Sequence, residues 1–343
     1  MAITAGYDVG GAHLKVALAE GGRTVAATQL LCPLWQGLDC LDAALAHAAP
    51  LTARASAHAA TMTGELCEIF PDRITGVAEI VGRLEALLGG HVRIWMGPRG
   101  FGTLDEARAD PTSVASTNFL AAAELVACRY DEAILVDMGS TTTDIIPIAA
   151  TCPTPRALTD GERLATGELV YSGLTRTDVS AVAHTVAFRG RTQRLAAGNF
   201  ANMADVRRIL GELPDDVDQQ ETADRRGKSL EESLSRFARC LGRDRRDANL
   251  AEWRSAAELI AGQQMEDIRQ ALLAACDLTG VAIDAPIVAA GIGAPQVLAL
   301  ARHLGRKAHA FAEVASATPD CAAWATRCAP AAAVALLAEA SQA

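Results

Sequence analysis

The residues best suited to chemistry in this chain fall in short stretches of one design. The first, Asp8-Val9-Gly10-Gly11-Ala12-His13-Leu14-Lys15, ends a strand on a carboxylate, turns through glycines and returns a lysine on the next strand. Glycines carry no Cβ, so backbone N–H groups can converge on an anion there. Lys15 can reach back to the same anion, Asp8 offers hard oxygens to Mg2+ or its waters, and His13 sits where it could touch phosphate. The second stretch, Asp137-Met138-Gly139-Ser140-Thr141-Thr142-Thr143-Asp144, repeats strand, carboxylate and glycine, then supplies Ser140, Thr141 and Thr142 hydroxyls as phosphate donors. Asp137 and Asp144 join Asp8 as candidate metal ligands. A third stretch, Ala290-Gly291-Ile292-Gly293-Ala294, reads as a strand, a Gly-x-Gly turn and a helix start, a place for an anion beside Gly291 and Gly293.

The elements that must position these residues follow from hydrophobic periodicity and turn signals. Residues 3–9, 14–19 and 25–31 read as strands separated by glycine pairs. Helical spacing at 38–47 and 75–88, with strands at 56–61 and 92–96, continues a βββαβαβ pattern. A second unit starts near Asn118 with an Ala-rich helix and the strand-turn-strand around Asp137. Residues 205–247, dense in charges of both signs, read as a solvated helical insertion held partly by helix-spaced ion pairs. A helix at 250–276, a strand at 286–290, a helix at 295–303 and a single final helix at 322–339 complete the expectation.

Composition narrows the function. The chain has 343 residues, half of them hydrophobic, and a formal net charge of −10. That is enough chain for about two domains with a cleft between them. The acid excess disfavours nucleic acid and anionic membrane as partners, no run is long and apolar enough for a membrane span, and the N-terminus lacks the basic region of a signal peptide. A cytoplasmic protein is expected. Nine cysteines with no C-x-x-C pair are expected as reduced, packed thiols. Nicotinamide chemistry is disfavoured because Gln296 stands where the dinucleotide fingerprint needs its third glycine. Gly227-Lys228-Ser229 is not a P-loop, since position 222 is Thr and no strand precedes it.

Taken together, the early Asp-turn-Lys, the later Asp-Gly-Ser/Thr hairpin and the late Gly-x-Gly turn resemble the actin-like ATPase, sugar kinase and Hsp70 superfamily. Asp8-Val9-Gly10-Gly11 and Gly139 through Asp144 are similar to its hydantoinase A/oxoprolinase branch. Strings such as Thr63-Gly64-Glu65-Leu66, Asn118-Phe119-Leu120-Ala121, Gly167 through Gly173 and Thr222-Ala223-Asp224 resemble methanofuran-synthase-like proteins of archaea and their relatives in methylotrophic bacteria, tied to tetrahydromethanopterin-dependent one-carbon transfer. Phe119, where that family tends to have Trp, and Asn202-Met203 are departures that bear on the acceptor.

The resemblance implies an α/β fold of two actin-like, ribonuclease H-like lobes, with residues 1–117 in the first and 118–319 in the second. A helical insertion of about 199–250 belongs to the second lobe, and the C-terminal helix of about 320–343 is placed against the first. It also implies a Mg-dependent transferase joining a phenol to an aminomethylfuran-methyl diphosphate, with diphosphate released. Asp8, Lys15 and Asp137 would clamp the leaving group. Glu65, Asp160 and Glu168 are candidate bases for the phenol. Arg163 and Arg176 would either pair with these acids or meet an acceptor carboxylate. An ATP-dependent small-molecule kinase, an oxoprolinase-like hydrolase, and a nucleotide-binding regulator without turnover are the alternatives. ATP and an oligomeric state stay open; no nucleic-acid or membrane partner is expected.

Overall fold

Glycine pairs at 10–11 and 21–22 break the first thirty residues into three strands, and the computed structural model, which describes residues 2–342, folds them into one meander. Strand β1 (Ile3–Val9) pairs antiparallel with β2 (His13–Glu20), which pairs antiparallel with β3 (Arg23–Leu31). On its other side β1 runs parallel to β4 (Ala57–Met62), followed by β5 (Arg93–Trp95) and β6 (Phe101–Gly102), giving the order β3-β2-β1-β4-β5-β6. The second lobe runs through β7 (Glu132–Met138), β8 (Thr143–Ala149), β9 (Cys152–Pro153), β10 (Leu169–Val170), a separate hairpin of β11 (Thr185–Phe188) and β12 (Arg191–Arg194), then β13 (Ile287–Ala290) and β14 (Ala308–Ala310). Its main sheet has the order β10-β8-β7-β13-β14, with β9 also on β8.

The two lobes share a plan. A central strand (β1, β7) turns tightly into an antiparallel neighbour (β2, β8), and a later strand (β4, β13) joins its other edge in parallel. Parallel neighbours need a crossover, which the helices supply. These are two actin-like lobes.

Helices Asp39–Thr52 and Arg73–Leu88 cover one face of the first sheet, placing Leu41, Leu45, Val77, Ile80 and Leu84 in its core. The other face meets helix Ala329–Ala340, whose small side chains let it lie close. A Cβ on Gly6 would sit 2.1 Å from the Ala331 carbonyl oxygen, so only glycine permits that approach. The same helix packs on Asn118–Ala127, and this alanine-rich core extends to Leu135, Ile146 and Val288 of the second sheet, joining the lobes behind the cleft.

Two expectations are corrected. The single final helix is two, Ala322–Arg327 and Ala329–Ala340, bent by 110° at Cys328 where Pro330 opens the second. Among the described residues no single helix is long and apolar enough to cross a membrane. The insertion is more than a solvated cap. From Val179 to Ala261 it has its own core, built on Phe188, Val206, Phe237, Trp253 and Ile260. Few but large aromatics fill that core, and Arg236, fully buried, forms a 2.7 Å ion pair with buried Asp205 inside it. Residues 211–229 then cross to the first lobe. There Gln219 and Gln220 donate through Nε2 to the carbonyls of Gln29 (3.1 Å) and Ala12 (3.0 Å), and Asp216 pairs with Arg327 at 2.8 Å.

Candidate active site

Between the lobes lies a cleft of about 470 Å3, a volume suited to a small substrate. The two glycine hairpins face each other across it. In each, the first glycine donates its N–H to the carbonyl three residues on, Gly10 to His13 at 3.0 Å and Gly139 to Thr142 at 2.9 Å. That closure leaves the amides of Gly11, Ser140, Thr141 and Thr142 with no acceptor among the described residues. Free N–H groups at a tight turn are what a polyphosphate oxygen binds. The second hairpin is braced from beneath, where Leu174 and Arg176 donate their N–H groups to the Gly139 and Ser140 carbonyls at 2.9 and 2.8 Å. Gly173 makes that brace possible, because a Cβ there would lie 2.5 Å from the Thr141 amide nitrogen.

Cross-strand register fixes the charges. Asp8 lies opposite Lys15, and Asp137 lies opposite Asp144. Asp8, buried, takes Lys15 Nζ on Oδ2 and Asn118 Nδ2 on Oδ1, both at 3.3 Å. Burial works against the Lys15 ammonium, but Asp8 and Asp137 outweigh it and hold the lysine charged. Among the described residues Asp137 has no such partner. Burial, with Asp144 and Asp8 adding to it against the pull of Lys15, pushes its carboxyl up to about 7. His13 lines the cleft as a neutral ring, since burial and the neighbouring Lys15 and Arg176 lower its pKa to about 3.

Among the described residues no three His, Cys, Asp or Glu side chains converge as a metal cluster. The donor set does suit Mg2+, which takes one or two carboxylates and completes its shell with phosphate oxygens and water. Asp8 and Asp137 are the carboxylates available, and the unbalanced charge at Asp137 is what a dication would relieve. Asp144 also lines the cleft, with its Oδ1 engaged by Arg163 at 2.9 Å.

Other expected site residues are held by neighbouring side chains or lie outside the cleft lining. Arg163 does line the cleft, but it is buried 3.6 Å over the Phe119 ring with its guanidinium engaged by Asp144. Glu168 accepts twice from the Arg156 amide at 2.8 and 3.0 Å and once from Thr166, away from the cleft lining. Glu65 is fully buried behind Ser116 and cannot touch a ligand directly. Gly291 and Gly293 are packing glycines beneath the second hairpin: a Cβ on Gly291 would lie 2.4 Å from Asp137 Oδ1, and one on Gly293 would strike the Met138 side chain at 2.5 Å. Asp160 and Arg176 do line the cleft, Arg176 donating to Thr141 Oγ1 at 3.3 Å and lying 4.8 Å from the ring centroid of Trp35, on the opposite lobe. Trp35, Ser116 and Tyr171 also line it and were not singled out from the sequence. Ser116 adopts a positive φ of 54°, which no local pattern announces.

The hydantoinase/oxoprolinase family matches residues 56–327. A (4-{4-[2-(gamma-L-glutamylamino)ethyl]phenoxymethyl}furan-2-yl)methanamine synthase from Methanocaldococcus jannaschii is 33% identical over 77% of this chain and 79% of its own. A synthase of the same name from Methanococcus vannielii is 35% identical over 36% of this chain and 55% of its own. Among solved structures, nucleotide-free acetone carboxylase superposes with a TM-score of 0.58 at 11% identity, over 91% of this chain and 69% of that one, a likeness of fold alone. With its paired Asp-Gly hairpins facing one cleft, this chain belongs to the hydantoinase/oxoprolinase family, and its curated relatives are synthases.

Proposed function

We propose that the cleft binds an aminomethylfuran-methyl diphosphate between the two hairpins and transfers its furfuryl carbon to the oxygen of a tyramine- or tyrosine-type phenol, releasing diphosphate. The observation that carries this reading is the pair of hairpins: free amides at Gly11 and at Ser140 to Thr142, with charged Lys15, lie across one cleft from each other. The relatives' name supports it, since it describes an aryl ether between a phenol and a furan-methyl carbon.

The chemistry suits such a site. As the bond from carbon to diphosphate breaks, positive charge on the furfuryl carbon is delocalised by the electron-rich furan, so most of the barrier lies in stabilising the departing anion. Lys15 and the hairpin amides are fixed donors aimed at that anion in a partly dry cleft, where they act more strongly than water does. Mg2+, held by Asp8 and Asp137, would neutralise further charge on the leaving diphosphate. Asp8 keeps Lys15 and Asn118 in place around it. Trp35 and Tyr171 at the cleft give an aromatic acceptor surfaces to lie against.

The test is incubation with a furfuryl-type diphosphate plus tyramine or its γ-glutamyl derivative and Mg2+, and separately with ATP, followed by product mass. An ether with one equivalent of diphosphate is expected. Steady ATP consumption without ether would instead establish the kinase or hydrolase reading, and tight nucleotide binding with no turnover the regulatory one.

A further inference from the structure

The cleft carries a proton-handling unit assembled from both lobes. Ser116 Oγ lies 2.7 Å from Glu65 Oε1 and 3.0 Å from Asp160 Oδ2. A hydroxyl has one hydrogen and can donate to only one of them. The other contact is attractive only if that carboxyl itself carries a proton. Glu65 is the one placed to do so: it is fully buried, and its Oε2 has no partner among the described residues. A bare buried carboxylate oxygen is far costlier than an unpaired acid carbonyl. Burial, with a smaller contribution from nearby Asp160, raises the Glu65 carboxyl against the pull of Ser116 and Arg73. Helix Arg73–Leu88 presses on it through Gly76, where a Cβ would meet the Glu65 carbonyl oxygen at 2.4 Å. The hydrogen-bond direction is then Glu65 to Ser116 to Asp160, ending on a carboxylate that lines the cleft. Arg73 Nη2 meets the same Asp160 oxygen at 3.3 Å. Ser116 sits at this bridge with a positive φ of 54°, a conformation that costs a non-glycine residue free energy.

We infer that Asp160 accepts the proton of the acceptor hydroxyl, and that Ser116 and Glu65 are positioning residues that aim it. This rests on the transferase reading above. In the step, the phenolic O–H bond breaks and its proton passes to Asp160. The electron pair left on oxygen forms the new bond to the furfuryl carbon as the bond to diphosphate breaks, and Asp160 returns its proton to water in the cleft when the products leave. Asp160 stands on the second lobe while Arg73, Ser116 and Glu65 stand on the first, so the base is assembled from both lobes.

The experiment compares, in mildly alkaline buffer, ether formation from tyramine and from nitrated tyramine, whose more acidic phenol is largely ionised there and needs no base. Asp160→Asn should lower kcat with tyramine by about 100-fold or more and recover at least about tenfold of that with the nitrated acceptor. Arg73→Ala, which removes the ion pair between the lobes but leaves the base, should be milder and should show no such recovery. Glu65→Gln, which keeps a donor toward Ser116, should retain about tenfold more activity than Glu65→Leu. Equal defects of Asp160→Asn with both acceptors, or equal patterns for Asp160→Asn and Arg73→Ala, would reduce the cluster to an interlobe latch and overturn the inference. Wild-type protein that forms no ether from either phenol would instead contradict the transferase reading itself.

Discussion

The two hairpins share a backbone and differ in what stands opposite the aspartate. At Asp8 the cross-strand partner is Lys15, so the first hairpin is charge-balanced and its carboxylate is bonded on both oxygens. At Asp137 the partner is Asp144, a like charge, and the second hairpin needs Arg163 from the following helix to hold Asp144, leaving Asp137 itself unpaired. One turn of fixed geometry thus gives two results: the first hairpin places a cation at the cleft, and the second places there a carboxylate short of positive charge. A diphosphate together with Mg2+ would satisfy both.

The largest expected effects come from removing that asymmetry. Asp137→Asn and Asp8→Asn should each lower turnover by about 100-fold or more, measured as diphosphate released per enzyme, while circular dichroism shows the fold kept. Lys15→Met should cost about as much as the loss of one preorganised donor to a developing anion, roughly 100-fold in kcat. It should also weaken diphosphate binding, because it unbalances only the first hairpin.

A smaller effect, of opposite sign, concerns stability. Asp137 binds its proton more tightly in the folded chain than an ordinary carboxyl does, so its contribution to stability is full below the usual carboxyl range and is lost as pH rises through about 7. Metal-free Asp137→Asn protein should therefore melt above wild type on the alkaline side and lose that advantage in mild acid. Asp8→Asn should show no such gain, because it strands Lys15. Differential scanning calorimetry across pH checks both.

Glycine replacements sharpen the comparison further. Gly291→Ala meets Asp137 Oδ1 at 2.4 Å with φ at +79°, and should cost about 1–3 kcal/mol in urea unfolding. Gly10→Ala in the first hairpin meets its nearest atom, the His13 carbonyl oxygen, at 3.1 Å and should cost less.

Both hairpins were legible in the sequence because their signal is local: an aspartate, a glycine turn and a cation or hydroxyls within eight residues. The first three strands and the strand-turn-strand around Asp137 followed from the same turns. What stayed hidden depends on contacts distant along the chain. Glu168 looked like a base because it sits in a family-like string, yet the fold turns it onto the Arg156 amide. Arg163 was equally plausible as a substrate ligand until Phe119 and Asp144 were seen to hold it. Ser116, bridging Glu65 and Asp160 across about fifty residues in each direction, has no motif at all. The insertion was misread because its charges dominate the composition, while the aromatics that give it a core, such as Phe188 and Trp253, lie outside the charged stretch.

In the proposed function both hairpins grip one diphosphate and Asp137 brings the metal to it. Calorimetric titration of diphosphate into wild-type and Asp137→Asn protein, with and without Mg2+, separates this from every rival. Mg2+ should tighten diphosphate binding to wild type by at least about tenfold and do little for the variant. Equal tightening in both proteins, or diphosphate binding indifferent to Mg2+ in wild type, would contradict it.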